Sequence, residues 1–148
     1  MKIRRYWNEN AKRFCVRAIG DKILTSKGIR YLLFFDNDEK SFDEQSVQFC
    51  PFNFKFFWTR NGFHLIGFGL HSAQEKLTWY SYLKTMFSQS DYTFLDGRVK
   101  NSWAWLRPDS LEELDFIGEQ IINAKEKVLD YTTSDYYRDK KVFESLGY

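Results

Sequence analysis

The dipeptide Asn61-Gly62 does most to limit what this chain can become. With Arg60 it separates two apolar runs, Phe52 to Thr59 and Phe63 to Leu70. Asn-Gly between such runs is the strongest short signal for a tight hairpin turn. In the first run Phe52, Phe54, Phe56 and Trp58 fall on one side at strand period, and the second run returns antiparallel to it. Tyr31 to Asp36 reads as an earlier strand, and Tyr92 to Leu95 with Ser102 to Leu106 as a later pair.

Three segments open with serine followed three residues later by glutamate: Ser41 and Glu44, Ser72 and Glu75, Ser110 and Glu113. Such a serine caps a backbone N–H while the glutamate reaches back, so each pair predicts a helix start. The expected helices are a short one from Phe42 to Gln48, one from Ala73 to Ser88, and one from Leu111 toward Tyr131. The second would bury Ala73, Leu77, Tyr80, Leu83 and Phe87. A further helix is expected from Glu9 to Ile19, stopped by Gly20. This order predicts an α+β domain of RRM-like or ferredoxin-like plan, a mainly antiparallel sheet with helices packed on one face. Residues 1–148 are read as one domain: 1–30 an N-terminal helix and lead-in, 31–110 the core, 111–148 a C-terminal helix and tail.

A chain of 148 residues can bury roughly two-thirds of its unfolded surface. Its 15 Phe, 9 Tyr and 5 Trp are more rings than a core this size easily hides, so some are expected at the surface for stacking or a partner. Net charge is only +2, too mild to imply nucleic-acid binding by itself. The basic residues do cluster, at Lys2, Arg4, Arg5, Lys12, Arg13 and Arg17 and again at Arg138, Lys140 and Lys141. Such clusters suit phosphate contact or plain solvation. Cys15 and Cys50 complete no zinc set and read as buried apolar residues in a reducing compartment. No run reaches membrane-spanning length and the opening residues lack the apolar core of a signal peptide, so a soluble cytoplasmic protein without membrane contact is expected.

The chemistry-bearing residues lie at strand ends. Asp36 and Asp38, two apart, should project from one face, where a divalent cation would relieve their repulsion; a polar turn would also account for them. His64 lies on the strand after the hairpin, either as a functional group or as a hydrogen-bonded core residue. Asp96-Gly97 is a third acid position or a turn, and Asp91 competes with Asp96 for the role.

In order, apolar-Asp36-x-Asp38, then Arg60-Asn-Gly-Phe-His64, then Leu95-Asp96-x-Arg98 resemble the catalytic core of the archaeo-eukaryotic primase superfamily, over roughly Tyr31 to Ser110. The intervals suit one hairpin and then one helix. Leu106-Arg107-Pro108-Asp109-Ser110 resembles the strand end that follows the third motif, while Gly62 stands where that family usually has serine. The resemblance implies a nucleotidyltransferase of plasmid or viral DNA replication. Asp36, Asp38 and Asp96 would be catalytic ligands of Mg²⁺ or Mn²⁺, and His64, Arg60 and Arg98 would bind the nucleotide. Single-stranded nucleic acid would meet Trp58, Lys100, Trp103 and Arg107, with Trp105 a further ring in reach. Nucleoside triphosphates and a helicase or other replication protein are the implied partners.

Two other readings use the same residues. His64-Leu65-Ile66-Gly67-Phe68 with Tyr137 and Lys140 is similar to HUH rolling-circle endonucleases, where Tyr137 would be the nucleophile, although Ile66 stands where the second histidine belongs. The third is an RRM-like module that presents rings to nucleic acid or protein without catalysis.

Overall fold

The computed structural model describes residues 5–8, 13–16, 18–38, 49–60, 62–87 and 104–134. The hairpin forms. β6 (Phe54–Trp58) and β7 (Phe63–Gly67) pair antiparallel with Trp58 opposite Phe63, and Thr59 N–H donates to the Gly62 carbonyl at 2.9 Å. β5 (Phe34–Asn37) pairs with the other edge of β7, giving a sheet of order β5-β7-β6.

Directly opposed residues of an antiparallel sheet share a face. Phe34, Asp36, Lys55, Phe57, His64 and Ile66 therefore lie on one side, and Phe35, Phe54, Phe56, Trp58, Phe63 and Leu65 on the other. Helix α1 (Ala73–Met86) covers the second side, with Trp79 against Phe54 and its C-terminal Phe87 against Phe35 and Phe63. Helix α2 (Leu111–Ile122) covers the first through Phe116, whose ring meets Phe57 and Phe68. The helices thus pack on opposite faces of this sheet, not on one as expected. The cause is readable in β7: Phe63-His64-Leu65-Ile66-Gly67 is apolar at both parities apart from His64, and all five residues are buried. A central strand of that kind needs cover on both sides.

A second sheet is built on β3 (Ala18–Thr25). β9 (Val128–Ser134) runs along one edge, while β4 (Gly28–Tyr31) and the short β8 (Trp105–Leu106) share the other. Gly28, at φ +104°, closes the β3–β4 turn, and Thr25 Oγ1 donates to its carbonyl at 2.7 Å. β1 (Arg5–Asn8) and β2 (Arg13–Val16) form a separate two-stranded pair. The described residues therefore form an α+β structure with antiparallel sheets and two helices, and neither helix is long and apolar enough to cross a membrane.

Several boundaries differ from expectation. The helix expected from Glu9 to Ile19 is replaced by β2 and the start of β3, and Gly20 pairs with Trp105 inside a strand. Ile19 and Ile23 are both fully buried, and a spacing of four fits strand period as well as helix period. The helix from Leu111 ends at Ile122 instead of continuing toward Tyr131, capped by Asn123, because the open edge of β3 takes residues 128–134 as a strand. The run Tyr31 to Asp36 divides between two sheets. Tyr31 ends β4, the Leu32 N–H donates to the Asp21 carbonyl, and β5 begins at Phe34. α1 starts as expected, with Ser72 and Glu75 closing a capping box, but it buries Lys76, Trp79, Tyr80 and Leu83 while Ala73 is exposed. The helix expected over 42–48 and the strand over 92–95 lie outside the described residues.

Lys76 ties α1 to the second sheet. Its ammonium pairs with the fully buried Asp21 and stands 4.5 Å from the centre of the Tyr31 ring. Asp21 also accepts from the Ala104 N–H at 3.1 Å. Burial pushes the Asp21 carboxyl pKa up, against the pull of Lys76.

Candidate functional site

β5 ends at Asn37 with Asp38 just beyond it, and the side chains alternate as in a strand: Asp36 and Asp38 are exposed while Asn37 is buried. Asp36 stands directly across from His64 on β7. Its Oδ1 lies 3.2 Å from His64 Nε2. The other ring nitrogen, Nδ1, makes a short hydrogen bond to Glu113 Oε1. The imidazole is thus held between two acids, one from a neighbouring strand and one from the first turn of α2.

The two acids are unequal. The Asp36 side chain is 60% exposed, His64 is 7% exposed and Glu113 is 0% exposed. Glu113 is fixed further: its Oε2 accepts from the Asp109 N–H at 2.9 Å and its own N–H donates to Ser110 Oγ at 3.2 Å. Asp109 in turn accepts from the Arg60 N–H at 3.2 Å, which brings the end of β6 beside the start of α2. Burial alone would lower the His64 pKa, but hydrogen bonds to Asp36 and Glu113 and their charges outweigh it and push the value up to about 9. At neutral pH the ring is a cation with both N–H groups donating. With a carboxylate oxygen against each ring nitrogen, the protonated ring donates from both.

Gly62 shapes the same corner. A Cβ there would lie 1.9 Å from the Asn37 carbonyl oxygen and 2.7 Å from the Asp38 Cα. The backbone at the end of β5 is pressed onto this glycine, so the serine that the resemblance would place there has no room.

The expected site residues divide as follows. Asp36 and His64 come together. Asp38 is exposed next to them at the strand end, and Arg60 joins the neighbouring loop through its backbone. Trp58 is 58% exposed, edge-on to Phe56 and Phe63, on the sheet face opposite His64. Arg107 is exposed between β8 and α2. Asp91, Asp96, Arg98, Lys100, Trp103 and Tyr137 lie outside the described residues, and of Trp105 only its pairing with Gly20 is described. Among the described residues no group of three or more His, Cys, Asp or Glu is arranged to hold a metal ion. Asp36 and Asp38 are hard oxygen donors facing solvent, which suits a partly hydrated Mg²⁺ or Mn²⁺ completed by other ligands.

Glu113 is the member that sequence reasoning missed. It reads as the capping glutamate of Ser110, yet its carboxylate turns to Asp109 and His64. The available signal was its position on α2: Glu113, Phe116 and Gln120 form one stripe of the helix, and all three are buried. Comparison with known protein families, with characterised proteins and with solved structures finds no match to this chain.

Proposed function

We propose that this chain is a nucleotidyltransferase core of the primase type, acting on nucleic acid with a divalent metal. The observation that carries the reading is the cross-strand placement of Asp36 against His64, with the imidazole held as a cation at a solvent-facing strand end. In this reading the Asp-x-Asp strand and the histidine strand are the neighbouring strands β5 and β7 of the three-stranded sheet.

Each described residue has a task. Asp36 and Asp38, with Asp96 by resemblance, hold Mg²⁺ or Mn²⁺. A metal held there would supply charge that favours ionisation of the attacking 3′-hydroxyl and departure of pyrophosphate. His64, held on its other nitrogen by Glu113, would donate a charge-assisted hydrogen bond to a phosphoryl oxygen. Arg60 adds charge at the loop, and Trp58 offers a ring for stacking with an unpaired base, worth roughly 1–3 kcal/mol per base.

Neither alternative draws comparable support. An HUH endonuclease needs a neutral histidine as a metal ligand, whereas His64 has both nitrogens on carboxylates. A ring-presenting sheet needs an open face, whereas α1 and α2 pack on the two faces of this one and leave Trp58 exposed only at the end of β6.

The test is incorporation of nucleotides on a single-stranded template in Mn²⁺. Asp36→Asn and His64→Ala should abolish it and Tyr137→Phe should leave it intact. A covalent adduct with DNA that disappears in Tyr137→Phe, or wild-type protein that neither incorporates nor binds nucleoside triphosphate, would sink the proposal.

A further inference from the structure

The two carboxylates that hold His64 differ in what they can give up. Both oxygens of Glu113 are committed inside the protein, to the His64 Nδ1 and to the Asp109 N–H, and the residue has no solvent exposure. Asp36 reaches His64 through one oxygen from a largely exposed side chain. A ligand that arrives from solvent therefore competes with Asp36 and leaves Glu113 in place.

We infer that Glu113 is the positioning residue of this site. It holds the Nδ1–H of His64 so that Nε2–H is the donor aimed at the exposed end of β5, where Asp36 occupies the place a phosphoryl oxygen takes when nucleotide binds. The inference rests on the nucleotide reading above for the identity of the ligand, and on geometry alone for the hold of Glu113 on the ring. In this arrangement Asp36 has two alternative partners. Without nucleotide it accepts from His64. With nucleotide it turns to the solvent side, beside Asp38, and a phosphate oxygen replaces it on Nε2.

The experiment has two arms. The first uses ¹⁵N-histidine-labelled protein and follows the Nδ1–H proton of His64. A buried proton shared with a carboxylate gives a slowly exchanging resonance far downfield. It should persist in Asp36→Asn, move upfield and exchange faster in Glu113→Gln, and do the same in Glu113→Asp, which keeps the charge but falls short of the ring. Absence of the resonance from folded wild type, or its persistence unchanged in both Glu113 variants, overturns the inference.

The second arm measures ATP binding in Mn²⁺. Glu113→Gln should weaken it roughly tenfold or more, the loss expected when a charge-assisted hydrogen bond is misaligned. Equal ATP affinity in wild type and Glu113→Gln overturns the inference. If wild type binds no ATP, the phosphate assignment falls with the nucleotide reading, and the proton resonance alone decides the role of Glu113.

Discussion

His64 has a pKa of about 9 in the folded chain against an ordinary value of 6.5. Folding therefore favours the protonated ring. The resulting stabilisation is complete below about pH 6.5 and disappears as pH rises through 9. Its size is up to about 3 kcal/mol, reduced because solvent screens the exposed Asp36. Urea unfolding between pH 6 and 10 should show stability falling over that window, and His64→Gln should flatten the fall. A profile for wild type that is level from pH 6.5 to 9 would show that the two acids do not hold the ring as a cation. The expectation of paired function for Asp36 and His64 came from their order in the chain. Glu113 stayed hidden because a glutamate three residues after serine has a sufficient local explanation in the helix cap. Only the tertiary approach of α2 to β7 gives it a second partner.

Elements whose local signals agree with one another are those the sequence makes legible. The hairpin β6–β7 and the start of α1 belong here: the turn dipeptide, the alternation and the capping box each specify one outcome. Elements decided by a distant partner are not legible in this way. Residues 128–134 become a strand because β3 has an edge to fill, and Leu32-Leu33 carries the chain from one sheet to the other inside a single apolar run. The contact between the end of β5 and Gly62 is of the same tertiary kind, and it is testable. Gly62→Ser would force a side chain against the Asn37 carbonyl, so the strand end must shift. A loss of about 1–3 kcal/mol is expected, seen as a Tm lower by several degrees. An unchanged Tm would mean that the two backbones are not in contact.

At the scale of the molecule, the Asp21–Lys76 pair joins α1 to the β3 sheet through a fully buried ionic contact. Removing one partner leaves an uncompensated buried charge, so Lys76→Met should cost about 3–5 kcal/mol. Asp21→Asn added to it should recover part of the loss. Additive costs in the double variant would rule out direct coupling between the two. The charge of the whole chain bears on the nucleic-acid partner proposed for it. With a net charge of +2, single-strand binding as proposed would come from local basic residues, so affinity should be modest and fall with salt, with a log–log slope near −0.7 per phosphate contact. Arg60→Ala should make that slope shallower. Trp58→Ala should weaken binding at every salt concentration without altering it. No binding at low salt would leave the nucleic-acid reading without support.

The pairing of β3 with both β8 and β9 also governs when the protein can fold. Ile19 lies beside Leu106 on one edge and Thr133 on the other, so the strand formed near the beginning of the chain waits for segments translated much later. Contacts so distant in sequence slow the search for the native state. During synthesis the β5-β7-β6 sheet and α1 can assemble while Asp21 still lacks Ala104 and His64 still lacks Glu113. The nascent chain then carries an unpaired strand edge and a half-held imidazole, a state that favours chaperone capture or aggregation. The His64–Glu113 contact can therefore form only once α2 has been synthesised.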